Sequence, residues 1–169
     1  MPAQELSAFL RHAAPLVTRS LLIAGEGGFF TLPDGRRLGF EIYGDPDGFP
    51  VIYCHGFPAS RLEARLFHED ARDTGIMLVA ADRPGYGGSD YQSGRGMPDW
   101  AGDMRVLADG LHLDRYSVMG MSGGAPYAVH CAAAGDARLH RLGLVCGLGP
   151  MDRPETLAGM GSPAGQRSR

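Results

Sequence analysis

The sequence predicts a doubly wound, mostly parallel α/β sheet with helices on both faces, and three observations carry that prediction. Val51-Ile52-Tyr53-Cys54 and Ile76 to Ala81 are short continuous apolar runs, the character of strands buried on both faces. Segments of helical spacing separate such runs, which is the alternation a parallel sheet requires. Finally, Gly120-Met121-Ser122-Gly123-Gly124 joins an apolar run, Tyr116 to Met119, to a helix-like run from Ala125 to Ala134. A serine lifted clear of a strand end by a tight turn has strained backbone angles. Side chains two positions either side would collide, so glycine belongs there.

In chain order, Leu6, Phe9, Leu10, Ala13, Val17 and Leu21 recur at helical spacing and predict a leading helix within residues 1–24, ended or kinked at Pro15. Its polar face lacks the run of cations that would mark a membrane-surface helix. Phe29 to Leu32 and Leu38 to Tyr43 flank Pro33-Asp34-Gly35-Arg36, a hairpin signal. Leu62, Leu66 and Phe67 fall on one side of a helix between the two central strands. Trp100, Met104, Leu107 and Leu111 mark a second amphipathic helix, and Leu142 to Cys146 a sixth strand. Beyond Gly147 the glycines and prolines leave little that packs. The sequence therefore reads as one domain over residues 1–158 and a disordered tail over 159–169.

At 169 residues and 44% hydrophobic, the chain has the size of a single domain with a substantial core. All sixteen of its basic Lys/Arg positions are arginine. A Walker A loop, a pyridoxal Schiff base and a Ser-Lys dyad each need a lysine amine, so those chemistries are excluded. The net charge of −3 and the scattered arginines give no nucleic-acid footprint. Cys54, Cys131 and Cys146 lie in apolar segments without a C-x-x-C pair, the pattern of reduced buried thiols rather than a metal site. No apolar run is long enough to span a membrane. The N-terminus lacks a basic stretch, and Arg11, His12 and Arg19 interrupt the apolar positions after it, so a cytoplasmic location without membrane partner is expected.

Ligands of an open α/β sheet gather at the carboxyl ends of its strands. Three loops stand there: His55-Gly56-Phe57-Pro58 after Cys54, Asp82-Arg83-Pro84-Gly85-Tyr86-Gly87-Gly88-Ser89 after Ala81, and the Ser122 turn after Met119. In order and approximate spacing these motifs resemble the landmarks of the α/β-hydrolase superfamily, from the hairpin to about Asp152. The resemblance implies Ser122 as nucleophile and the backbone N–H groups of Phe57 and Gly123 as the oxyanion hole, with no cofactor and no metal. It further implies a substrate-facing region drawn from His55, Gly56, Tyr86 and Met121. For His55 itself, a loop histidine bonded to backbone is the favoured reading over proton transfer. Asp82 and Arg83 read as a charge-assisted lock on their own loop.

A serine needs a general base, which the family places after its eighth strand, with an acid after the seventh. Only six strands are recognisable here, so the resemblance implies a C-terminally incomplete α/β-hydrolase domain over residues 1–158. His130 lies eight residues beyond Ser122, roughly 12 Å along a helix at 1.5 Å per residue, and His140 precedes the next strand at the opposite end of the sheet. Asp152 occupies a place where some members keep the acid, although a loop or capping role is favoured. The expected function is that of a serine hydrolase on a small ester, amide or related acyl substrate, weakly active or inactive as this chain. The alternative is a non-catalytic truncated product or a small-molecule-binding module of the same fold. Because Leu142 to Cys146 contains neither charge nor proline, self-association through this last strand is also expected.

Overall fold

The computed structural model describes residues 28–150. The expected leading helix, the tail and Asp152 lie outside them. The strands are β1 (Gly28–Thr31), β2 (Arg37–Gly44), β3 (Phe49–Cys54), β4 (Ile76–Ala81), β5 (Tyr116–Met121) and β6 (Leu139–Val145). They form one sheet in the order β1-β2-β4-β3-β5-β6. The hairpin strands β1 and β2 pair antiparallel, and β2 runs antiparallel to β4, whereas β3, β4, β5 and β6 are mutually parallel. The doubly wound, mostly parallel α/β sheet read from the sequence is thus the architecture of the described residues.

Helices α1 (His68–Asp73), α2 (Met97–Gly110) and α3 (Ala125–Ala133) cover the sheet. One face packs against α2 and α3 through Trp100, Met104, Leu107, Ala128 and Cys131. The other carries Tyr43, Tyr53 and Leu78 beneath Ala64 and Ala71. Trp100 is the largest fully buried side chain, and its indole N–H donates to Cys54 Sγ at 3.4 Å, so burying it leaves no polar atom unsatisfied. The hairpin is tied to α2 by a two-pronged bond from the Arg36 guanidinium to Asp103, at 3.0 and 2.8 Å.

The segment carrying Leu62 and Leu66 departs from expectation. Residues Arg61–Phe67 form a 3₁₀ helix, continued by α1. With three residues per turn, the inward row is Arg61, Ala64 and Phe67 rather than an i, i+4 stripe. Ala64 is fully buried and Phe67 half-buried, while Leu62 and Leu66 are exposed.

Candidate active site

Because β3, β4 and β5 are parallel neighbours, their carboxyl ends deliver three loops to one edge of the sheet. Ser122 follows the last residue of β5 with φ +48°, a left-handed conformation rare outside glycine. A 3₁₀ turn, Ser122–Gly124, leads straight into α3. The flanking glycines are required by close approach. A Cβ on Gly120 would stand 2.6 Å from Ala125 Cα, and one on Gly124 only 2.0 Å from the Cys54 carbonyl oxygen. The second contact docks the turn directly on the end of β3.

Phe57 and Gly123 are neighbours across the two loops. A Cβ placed on Gly123 would lie 3.3 Å from the Phe57 amide nitrogen. The Phe57–Pro58 peptide is cis, and the Phe57 side chain is exposed. Gly56, just before it, is held from both sides. Its N–H donates to Glu63 Oε2 at 2.7 Å, and the same carboxylate accepts the Tyr53 hydroxyl at 2.9 Å. Its carbonyl accepts the Arg83 Nη2–H at 2.8 Å and faces His55 Nδ1 at 2.9 Å.

His55 is fully buried, and the Arg83 backbone N–H donates to its Nε2 at 3.2 Å. Accepting at Nε2 leaves the proton on Nδ1, which donates to the Gly56 carbonyl. Burial, reinforced by the nearby Arg83 charge, pushes the imidazole down to about 4, so the ring is neutral at pH 7. Its role is to fix the loop. His55 and Gly56, counted among ligand-facing residues in the sequence reading, are both buried, and the ring nitrogens of the one and the peptide atoms of the other are engaged by each other, by Glu63 and by Arg83. Met121 likewise packs its side chain against the apolar cluster of the second face.

The Asp82 loop is locked, but not by Arg83. Asp82 is completely buried, accepts the backbone N–H groups of Arg61 and Gly88 at 2.7 Å each, and pairs with the Arg61 guanidinium. Arg83 turns the other way. Its guanidinium is stacked between the rings of Tyr86 and Tyr127, 4.8 and 4.7 Å from their centroids, and its Nη1–H donates to the Gly123 carbonyl at 3.2 Å. Neither Arg61 nor Glu63 was legible as part of the site, since each reaches it from the 3₁₀ helix that sequence periodicity misread.

A cleft of about 900 Å³ opens at this edge, lined by Phe57, Gly123, Tyr86 and Arg83, by Met97, and by Tyr127 and His130 of α3. Gly147 to Pro150 border its other side, and the Leu148 N–H donates to the Ser122 carbonyl at 3.4 Å. The remaining described histidines stand elsewhere. His68 Nδ1 accepts the Gly44 N–H at 3.0 Å, His112 is exposed after α2, and His140 in β6 contacts the Arg115 guanidinium. Among the described residues no cluster of metal-binding side chains occurs, and no helix is long and apolar enough to cross a membrane.

A left-handed serine between a parallel strand and a helix, beside a glycine-containing loop from the neighbouring strand, defines an α/β protein of the elbow type. No protein-family model matches the chain. It is 33% identical over 129 residues to a non-heme chloroperoxidase of Streptomyces lividans, a match spanning 73% of this chain and 46% of that one. It is 32% identical over 129 residues to a proline iminopeptidase of Xanthomonas citri, covering 69% and 38%. Among solved structures, it superposes on a thermophilic esterase from Thermogutta terrifontis with a TM-score of 0.66, 29% identity, and coverage of 78% and 49%. The chain belongs to the α/β-hydrolase superfamily. It spans less than half the length of these relatives.

Proposed function

We propose that this chain carries the nucleophile and oxyanion-hole half of a cofactor-free serine hydrolase acting on a small ester, amide or related acyl substrate in the cytoplasm. The observation that carries the reading is the juxtaposition of the left-handed Ser122 with the Phe57 amide and Gly123. Attack by Ser122 Oγ on an acyl carbon would place negative charge on the carbonyl oxygen, and two backbone N–H groups beside the serine are the donors that charge needs. Esterase and iminopeptidase, the names of two of the relatives, both denote cleavage of acyl bonds.

Among the described residues the general base is the weak point. Both nitrogens of His55 are engaged, and His130 begins no closer than two helical turns beyond Ser122. Acylation is therefore slow and deacylation slower, although oxyanion stabilisation and binding alone retain on the order of 10³–10⁴-fold over water in serine-triad enzymes. The expected result is stoichiometric, slow labelling of Ser122 by a fluorophosphonate, abolished in Ser122→Ala, with little turnover of an activated ester. A folded protein that resists the reagent altogether would favour the second reading, a binding module, for which the committed His55 ring is the supporting observation.

A further inference from the structure

We infer that Arg83 is a positioning residue for the oxyanion loop, its guanidinium holding the Gly56 and Gly123 carbonyls so that the Phe57 N–H points at the site of the developing oxyanion. The inference rests on the reading of Ser122 as nucleophile and adds to it a residue outside the elbow and the oxyanion-hole peptides.

The argument begins with the peptide group. The carbonyl of Gly56 and the N–H of Phe57 belong to one planar trans unit and point in opposite directions. Whatever grips the Gly56 oxygen therefore sets the direction of the Phe57 N–H. Two donors grip it, Arg83 Nη2 at 2.8 Å and His55 Nδ1 at 2.9 Å. Donation to the carbonyl also withdraws electron density from the peptide and makes its N–H the stronger donor. Arg83 Nη1 reaches the Gly123 carbonyl at 3.2 Å, so a single rigid guanidinium spans both loops.

The electrostatics agree with the geometry. Arg83 is 2% exposed, yet its close neighbour Asp82 is paired with Arg61 instead. Among the described residues no carboxylate forms an ion pair with Arg83, whose partners are carbonyl oxygens and two aromatic rings. A buried cation without a counter-ion is expensive, and burial works against its charge. Carbonyl oxygens and ring faces offset that cost in part, and the charge left without a counter-ion would favour an anion developing nearby.

The test compares Arg83→Gln and Arg83→Lys with the wild-type chain and Ser122→Ala. The rate of fluorophosphonate labelling and the Phe57 amide resonance of ¹⁵N-phenylalanine protein are followed, with circular dichroism and thermal melts reporting the fold. The inference expects folded Arg83 variants to label about tenfold or more slowly, with the Phe57 amide displaced. Folded variants that label at the wild-type rate, or an unmoved Phe57 amide, would overturn it. Should both variants fail to fold, the wild-type chain decides. Slowly exchanging, resolved Arg83 guanidinium protons support the bridge, and averaged, rapidly exchanging ones overturn it. Labelling of Ser122→Ala at the wild-type rate would sink the Ser122 reading instead, leaving the Phe57 and guanidinium resonances to judge Arg83.

Discussion

His55 titrates inside the folded protein far below its ordinary value, and that displacement has a direct consequence for stability. The neutral ring is required because Nε2 must accept the Arg83 N–H. Its folded value of about 4 lies below the unfolded value of about 6.5, so between those limits the unfolded chain binds the extra proton. The contribution is fully present above pH 6.5 and is lost as pH falls toward 4, amounting to on the order of 3 kcal/mol at most. Urea denaturation at pH 7 and pH 4.5 is expected to show this loss in the wild-type chain and a much flatter dependence in His55→Gln. Equal pH dependence in both would mean that another group governs this window. Asp136 is not that group. Its carboxyl is held far below the usual range by Arg138, so its contribution is lost only as pH falls below about 4.

The junction of β5 and α3 is set by atoms that glycine lacks, and the same amino acid in α2 has no such duty. A Cβ on Gly120 meets the backbone of Ala125 at 2.6 Å and of Gly124 at 2.7 Å, whereas one on Gly102 meets nothing within 4 Å. Gly120→Ala is expected to cost about 3 kcal/mol or more through overpacking against backbone. Gly102→Ala, in an exposed helix interior, should stabilise by up to about 1 kcal/mol. Equal thermal shifts for the two would contradict the strand-helix contact. The elbow glycines were readable from sequence because the requirement is local: a strand, a tight turn and a helix within a few residues. The same held for the strands, whose continuous apolar runs mark burial on both faces. What was not readable depended on geometry across the chain. The 3₁₀ helix shifted the buried row from Leu62 and Leu66 to Ala64, and only that shift brings Arg61 to Asp82 and Glu63 to Gly56. With Asp82 already paired, Arg83 is left to bond the Gly56 and Gly123 carbonyls, an outcome adjacent letters in the sequence cannot reveal.

The order of the sheet leaves β6 at an edge among the described residues, paired only with β5. Edge strands offer unpaired N–H and C=O groups, and proteins ordinarily guard them with charge, proline or cover. In β6 the guards are His140 and Arg141 at its beginning, while Leu142, Leu144 and Val145 remain 38%, 50% and 38% exposed. We propose that this edge pairs with a second copy of the chain. Two identical edges related by a two-fold axis run antiparallel. Centring the pair on Leu144 sets Leu144 opposite its own copy and Gly143 opposite Val145, so no like charges face each other. Sedimentation velocity is expected to show a dimer that grows with concentration, and Leu144→Lys, which puts like charges across the two-fold near its centre, should shift the population toward monomer without lowering the melting temperature. A wild-type chain that sediments as one monomeric species throughout would remove the proposal and mean that β6 is covered by other parts of the chain.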